Sequence, residues 1–211
     1  MRGSKERRKG ICVKRLFDLL LALCASVVLA LPVAVVAVAV RLTSAGPALY
    51  WSDRVGRGNK IFKMPKFRSM RVGTPAVATH LLADARSHLT PIGSFLRKSS
   101  LDELPQLWNI FVGDMAVIGP RPALWNQYDL LAERDKYGAN DVRPGLTGWA
   151  QIHGRDELEI AEKAKLDGWY VEHLSFGLDV KCFYGTIAAV LKHDGVVEGG
   201  TGTLHENNKK S

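Results

Sequence analysis

Two adjoining carboxylates, Asp102 and Glu103, are the groups in this sequence best suited to do chemistry. An ionised carboxylate is a competent nucleophile toward phosphorus, and a helix N-terminus would stabilise its negative charge. The same segment has a structural interpretation, because Ser100 and Glu103 show the S-x-x-E spacing of a capping box. Pro105 favours a helix start near Leu104, since proline is best tolerated at the first helical position. This segment taken alone favours the structural interpretation.

Phosphoryl transfer also needs positive charge around the phosphate oxygens. Four basic residues could supply it, Lys66, Arg97, Arg121 and Arg155. Each alone is typical of a solvated surface cation, but three of them lie in Gly/Pro-rich or helix-end contexts, where backbone is often held close to a ligand. Together with the carboxylates they indicate a phosphate site.

Short helices and turn-rich loops are predicted to position these residues. The stretch KIFKMPKFRSM is basic and apolar with an internal proline, which suits an edge strand. A ten-residue apolar stretch near the C-terminus is too short to span a membrane. The predicted elements are a strand at 60–70, helical patterns at 92–100 and 101–111, turn-rich segments at 113–122 and 142–155, an amphipathic helix from Asp156 to His173 and the apolar stretch at 182–191.

An uncharged apolar run of 22 residues, from Leu19 to Val40, could cross a hydrocarbon layer. The formal charge of +8 is distributed unevenly around it. The chain up to Arg71 holds 15 basic and 3 acidic residues, a net +12, and the remainder is −4. The basic residues therefore accompany the apolar run, which argues against a uniformly basic nucleic-acid-binding protein and favours a membrane surface.

Three topologies could accommodate this run. A cleaved signal peptide would have a shorter apolar core of about 7–15 residues. A straight span would export one strongly basic flank, against the positive-inside rule. A helix that enters the membrane, bends at Pro32 and returns would keep both flanks on the cytoplasmic side, because proline removes a backbone donor and kinks a helix. We therefore predict a re-entrant helix, with Asp18 paired with neighbouring Lys14 and Arg15 at the interface.

Four blocks of sequence resemble one known family. They read KRLFDLLLAL near the start, KFRSM at 66–70, SSLDELPQLWNIFVGDMAVIGPRP at 99–122 and VRPGLTGWAQIHGR at 142–155. In this order they closely resemble the monotopic polyprenyl-phosphate phosphoglycosyl transferases, or bacterial sugar transferases, over roughly residues 14–197. The resemblance implies transfer of a sugar 1-phosphate from a UDP-sugar to undecaprenyl phosphate with release of UMP. The chain is similar to the minimal catalytic form of the family.

The resemblance also implies roles for individual residues. Asp102 would be the nucleophile and Glu103 its catalytic partner, with a Mg²⁺ ion at Asp102. The phosphate-binding positions would be Lys66, Arg97, Arg121 and Arg155, and two further acidic positions of functional importance would be Asp167 and Asp179. The family breaks its membrane helix at a Ser-Pro pair, whereas Leu31 precedes Pro32 here. Leucine has no hydroxyl to satisfy backbone groups freed at a kink.

The predicted fold is therefore mainly α with minor β, combining a re-entrant membrane helix, interfacial amphipathic helices and a small cytosolic domain. The expected location is the cytoplasmic face of a bacterial inner membrane, with anionic lipids as partners; a homodimer is compatible with the sequence. The predicted segments are a basic N-terminus at 1–15, the membrane helix at 16–41 kinked near Pro32, a catalytic domain at 42–197 and a disordered tail at 198–211.

Other functions remain open at this stage. A non-catalytic, membrane-tethered protein that binds anionic lipids would explain the charge, but would leave the cations and the Asp-Glu pair as coincidence. A one-step transferase in which Asp102 only holds Mg²⁺ would use the same residues. Three widely spaced cysteines without a CxxC pair argue against a zinc or redox centre, and no nucleic-acid-binding module is present.

Overall fold

Helices dominate a computed structural model of the chain, which describes residues 2–75, 86–154 and 158–192. The predicted mainly α fold with minor β is confirmed. The predicted tail and Arg155 lie outside the described residues. The helices are α1 (Arg2–Thr43), α2 (Gly93–Lys98), α3 (Leu107–Val112), α4 (Tyr128–Asp135), α5 (Trp149–Ile152), α6 (Ile160–Glu172) and α7 (Phe176–Lys192), and the strands are β1 (Leu49–Val55), β2 (Ile61–Phe67), β3 (Ala116–Ile118) and β4 (Gly145–Thr147).

The apolar run forms part of one long helix, α1. Its Val13–Thr43 portion is long and apolar enough to cross a membrane, judged by length and composition alone. Pro32 lies inside the helix, which is continuous at this position rather than divided into two separate helices. The central residues of α1 are largely exposed, with Val28 74% and Leu31 75% accessible. The middle of the helix therefore presents exposed apolar side chains that no other described part of the chain covers.

The N-terminal part of α1 is fixed to the domain by polar contacts. Lys14 Nζ donates to Asp179 Oδ2 at 2.6 Å, and Arg15 Nη2 donates to the backbone carbonyl of Ile110 at 2.6 Å. Asp18 is buried, and its Oδ1 accepts a hydrogen bond from the Val117 amide at 3.0 Å. The predicted interfacial position of Asp18 is therefore wrong, because its carboxylate satisfies a backbone donor inside the protein. The charges of Lys14 and Arg15 still act on it, as predicted.

The C-terminal part of α1 packs on the same domain through apolar contacts. Val36 and Val40 are buried in a cluster with Phe67 of β2 and Leu96 of α2. The exit turn is held by Arg68, whose guanidinium donates to three backbone carbonyls, those of Ser44, Ala45 and Pro47. The segments Lys14–Asp18 and Val36–Val40 of α1 are consequently fixed to one body, while the part of the helix between them is largely exposed.

Strands β1 and β2 form an antiparallel ribbon. Pro65 is opposite Trp51, and Lys66 is opposite Tyr50. The predicted strand at 60–70 is confirmed, and its proline is tolerated because a two-stranded ribbon leaves an outer edge on each strand.

Strands β3 and β4 pair in parallel and bring two turn-rich segments together. The approach is so close that a Cβ on Gly148 would lie 2.1 Å from the carbonyl oxygen of Gly119. The predicted amphipathic helix corresponds to α6, and the predicted C-terminal apolar stretch lies in α7. Cys182 of α7 is buried in the main core with Tyr170 and Ile118.

Candidate active site

The Asp-Glu pair lies on a short 3-10 helix, Leu101–Gln106, rather than at the start of an α-helix. Pro105 is inside this 3-10 helix and α3 begins only at Leu107, so the predicted start near Leu104 is wrong. The capping box is also absent: the Ser100 amide donates to the Arg97 carbonyl at 3.2 Å, and the Glu103 amide to the Ser100 carbonyl at 3.2 Å. Backbone carbonyls satisfy both donors that the box would have satisfied, and the Glu103 carboxylate is left to contact other elements.

Glu103 joins two cations that are distant in sequence. Lys66 Nζ lies 2.9 Å from Glu103 Oε1, and Arg121 makes a two-pronged contact, with Nη1 donating to Oε2 at 3.2 Å and Nη2 to Oε1. Burial raises the pKa of the Glu103 carboxyl, but the charges and hydrogen bonds of Arg121 and Lys66 outweigh it and hold that pKa well below its usual range. Glu103 is therefore ionised and serves as the common acceptor for both cations.

Asp102 has a different environment from its neighbour. Its side chain is buried, with the residue 7% exposed, and burial together with the adjacent charge of Glu103 raises its pKa to about 6. Lys66, Arg97 and Arg121 oppose this rise through their positive charges. At neutral pH Asp102 is an ionised carboxylate, poorly solvated and faced by cations, which is a suitable state for a nucleophile.

Lys66 reaches the dyad from β2. Burial lowers its pKa, against the opposing charge of Glu103. A weakly solvated ammonium group of this kind interacts strongly with an anion, because little water has to be displaced. Three of the predicted cations, Lys66, Arg97 and Arg121, thus lie around the carboxylates.

Arg54 is a further cation of this region that sequence reasoning missed. Its charge is close enough to lower the pKa of Lys66, and its Nη1 donates to the Pro122 carbonyl at 3.1 Å. The side chains of a strand alternate between its two faces, and this pattern could have indicated Arg54. Arg54 lies on the same face of β1 as Tyr50, which is the cross-strand neighbour of Lys66. Using that pattern requires the strand register, which the sequence does not supply.

The two further acidic residues lie in separate networks. Asp167 is 1% exposed and accepts hydrogen bonds from Arg134 Nε and Nη2 at 2.9 and 2.6 Å. Asp179 accepts from Lys14 and, at 2.6 Å, from the Tyr170 hydroxyl. The structure therefore connects Asp167 to Arg134 and Asp179 to Lys14 of α1, rather than bringing either into the dyad.

The side chains at the dyad that could bind a metal ion give limited support for one. Within residues 2–75, 86–154 and 158–192, no three His, Cys, Asp or Glu side chains lie together as a metal-binding group. Glu103 is occupied by its two cations, whereas Asp102 forms no direct ion pair with another residue that the structure describes. Mg²⁺ is often held by one or two carboxylates plus substrate phosphate oxygens, so Asp102 fits a magnesium ion that arrives with a phosphorylated substrate.

A profile of the bacterial sugar transferases matches residues 9–193, which is most of the chain. The described dyad, the cations around it and the apolar Val13–Thr43 portion of α1 all lie within this match. The protein belongs to the bacterial sugar transferase family.

Individual relatives agree with this assignment. The chain is 39% identical over 188 residues to an uncharacterized sugar transferase, EpsL, of Bacillus subtilis, covering 87% of this chain and 90% of the relative. It is 38% identical to a UDP-galactose-lipid carrier transferase of Erwinia amylovora, covering 87% of this chain and 41% of the relative. It is 37% identical to the UDP-glucose:undecaprenyl-phosphate glucose-1-phosphate transferase of Escherichia coli, covering 83% of this chain and 39% of that protein. The chain thus spans under half the length of these two named transferases.

Proposed function

We propose that this protein transfers a sugar 1-phosphate from a UDP-sugar to undecaprenyl phosphate, through a covalent phosphosugar intermediate on Asp102. The observation that carries the proposal is the buried carboxyl group of Asp102 beside Lys66, Arg97 and Arg121 in a member of the sugar transferase family. The named relatives act on UDP-sugars or on undecaprenyl phosphate, which supports the same substrate classes here.

The reaction would proceed in two displacements at phosphorus. A carboxylate oxygen of Asp102 attacks the sugar-bearing phosphorus, a new P–O bond forms, and the phosphoanhydride bond to UMP breaks with its electron pair going to UMP. A phosphate oxygen of undecaprenyl phosphate then attacks the same phosphorus, and the bond to Asp102 breaks to regenerate the carboxylate. Splitting the transfer lets a soluble and a lipid substrate react in turn at one site.

The neighbouring residues stabilise the charge that moves during these steps. Lys66 and Arg121, held together by Glu103, face the region where phosphate oxygens gain negative charge. The negative charge of Glu103 offsets the electrostatic repulsion between Lys66 and Arg121, so that both cations can lie close together. If Mg²⁺ is bound, Asp102 would hold it, and the ion would neutralise charge on the diphosphate.

Release of UMP in the absence of lipid tests the covalent step. Wild-type enzyme in detergent with a UDP-sugar alone should release at most about one UMP per active site and carry a phosphosugar adduct at Asp102, detectable by intact-protein and peptide mass spectrometry. Asp102→Asn should release none, whereas the matched control Asp53→Asn, on an exposed ion pair with Lys63, should behave as wild type. A panel of UDP-sugars in this assay would also identify the sugar.

The same assay separates the alternatives. A one-step transferase would release UMP only when undecaprenyl phosphate is added. A non-catalytic lipid-binding protein would release none under either condition. An adduct that survives in Asp102→Asn would assign the nucleophile to another residue.

We also propose that α1 is re-entrant and that the domain lies on the cytoplasmic face of the inner membrane. A straight α1 would separate Lys14 from Val40 by about 39 Å, more than the ~30 Å hydrocarbon layer. Yet Lys14 contacts Asp179 and Val40 packs on Phe67, both in the same domain. A domain on one side of the membrane could hold both segments if α1 returned to the side from which it entered, and these two contacts support that topology.

Labelling of single cysteines tests this topology. Ser4→Cys and Lys60→Cys, each in a background without native cysteines, should react with a membrane-impermeant maleimide only after the cytoplasmic side is opened. Labelling of position 4 in intact spheroplasts would instead show a straight span. Binding of the same protein to vesicles with and without an anionic lipid would measure the predicted lipid preference, and native mass spectrometry in nanodiscs would test the predicted homodimer.

A further inference from the structure

Arg134 of α4 connects a buried carboxylate to the backbone of the turn that carries Arg121. Its Nε and Nη2 donate to Asp167, and its Nη1 donates to the backbone carbonyl oxygen of Arg121 at 2.8 Å. Resting on the proposed function, we infer that Arg134 and Asp167 are positioning residues that hold Arg121 against Glu103. Neither would touch the substrate, and both would act through Arg121.

The turn from Gly119 to Pro122 depends on donors from other elements. Pro120 and Pro122 have no amide N–H, so the turn has few backbone donors of its own. Three successive carbonyls accept hydrogen bonds from three elements: Pro120 from the Gly145 amide of β4 at 2.9 Å, Arg121 from Arg134 of α4 and Pro122 from Arg54 of β1 at 3.1 Å. The path of the backbone at Arg121 is therefore fixed from outside the turn.

The chemistry of the Arg134–Asp167 pair is better suited to positioning Arg121 than to stabilising the folded protein. Their side chains are 3% and 1% exposed, and a buried ion pair contributes little net stability because both charges lose their hydration. What the pair supplies is geometry, since a planar guanidinium can bind a carboxylate with two nitrogens and still donate from the third. A lysine at position 134 could keep the ion pair but could not make both contacts.

The substitution Arg134→Lys exploits this difference. We expect UMP release per folded enzyme to fall by about 100-fold, as for a small displacement of a group that stabilises charge. In an Arg121→Ala background, which removes the group being positioned, the same substitution should change the rate by less than about 3-fold. Equal fold-losses in the two backgrounds would show that Arg134 acts independently of Arg121 and would overturn the inference.

A second measurement does not depend on turnover. Hydrogen exchange in the peptide covering residues 118–124 should become faster in Arg134→Lys, because the turn loses an external donor. The matched control is Arg57→Lys, where an exposed arginine donates from Nε to the Asp141 carbonyl at 3.0 Å outside the site. This control should retain both wild-type rate and wild-type exchange.

The outcomes distinguish the inference from the proposed function. If the wild type releases no UMP from any UDP-sugar, the proposed function fails, and the exchange measurement alone decides whether Arg134 fixes the turn. If the wild type is active and Arg134→Lys leaves both rate and exchange unchanged, the inference fails while the proposed function stands. Arg134→Lys suits both measurements because it keeps the buried charges paired, whereas Asp167→Asn would leave Arg134 without its charged partner.

Discussion

Replacing Asp102 with asparagine is expected to stabilise the folded protein while abolishing its chemistry. The pKa of Asp102 rises from an ordinary 3.8 to about 6, with burial as the largest cause and the charge of Glu103 adding to it. The folded state therefore binds the proton more tightly than the unfolded chain does. Between these two values, the free energy of unfolding of the wild type falls as pH rises, because folding then requires a desolvated carboxylate to ionise.

The difference between 3.8 and about 6 corresponds to about 3 kcal/mol. Asparagine avoids this penalty, so Asp102→Asn should exceed the wild type in unfolding free energy by about 3 kcal/mol at pH 8, by about half as much at pH 5 and by little below pH 4. For a chain of this length the gain at pH 8 corresponds to a Tm increase of roughly 6–12 °C.

Thermal unfolding in detergent micelles, followed by intrinsic fluorescence across pH 4–8, measures this difference. EDTA should be present, so that no divalent cation compensates for the carboxylate charge. Asp53→Asn is the control, because Asp53 is in an exposed pair with Lys63 and should show no comparable gain. An Asp102→Asn variant that is less stable than the wild type at pH 8, or equally more stable at pH 4 and pH 8, would refute the reasoning.

Three further substitutions test other contacts. Lys66→Met should lower UMP release by about 100-fold or more, because the phosphate site loses a positive charge. The control Lys63→Met, three residues earlier on the same strand and exposed, should keep the wild-type rate. A normal rate for Lys66→Met would contradict the role given to Lys66. Asp179→Asn should lower the unfolding free energy by about 2–3 kcal/mol in chemical denaturation, because Lys14 loses its buried partner, and an unchanged midpoint would contradict this contact. Gly148→Ala should prevent normal folding, since the added Cβ would lie 2.1 Å from the Gly119 carbonyl oxygen. The matched control is Gly177→Ala, where an added Cβ would meet nothing within 4 Å. The control should leave the circular dichroism spectrum and Tm close to wild type.

The sequence predicts the elements better than it predicts their contacts. The strand at 60–70 and the helical class follow from local composition and hydrophobic pattern, which depend on neighbouring residues. Lys66 and Glu103 are 37 positions apart, and only the family resemblance placed them in one site. Arg54 was missed for a related reason, because its position beside Lys66 depends on the pairing register of β1 and β2.

Two predictions, the capping box and the interfacial position of Asp18, failed because residues distant in sequence contact these side chains. Ser100 and Glu103 have capping-box spacing, but Ser100 adopts a left-handed conformation with φ 56°, and the Glu103 carboxylate is used by Lys66 and Arg121. Asp18 has cationic neighbours in sequence, but it accepts a hydrogen bond from Val117 in β3. At Glu103 the long-range partners replace the local contact, whereas at Asp18 the Val117 hydrogen bond is added to the charges of Lys14 and Arg15.

The docking of both ends of α1 on the domain limits how the protein can be shortened. Ala22 belongs to the main core, and Val36 and Val40 belong to the second core with Phe67. Deleting the apolar helix to obtain a water-soluble catalytic fragment would therefore expose the core surfaces beneath these residues, besides removing Lys14 from Asp179. A soluble version would have to retain both docked ends of α1 and replace only the exposed middle with polar residues.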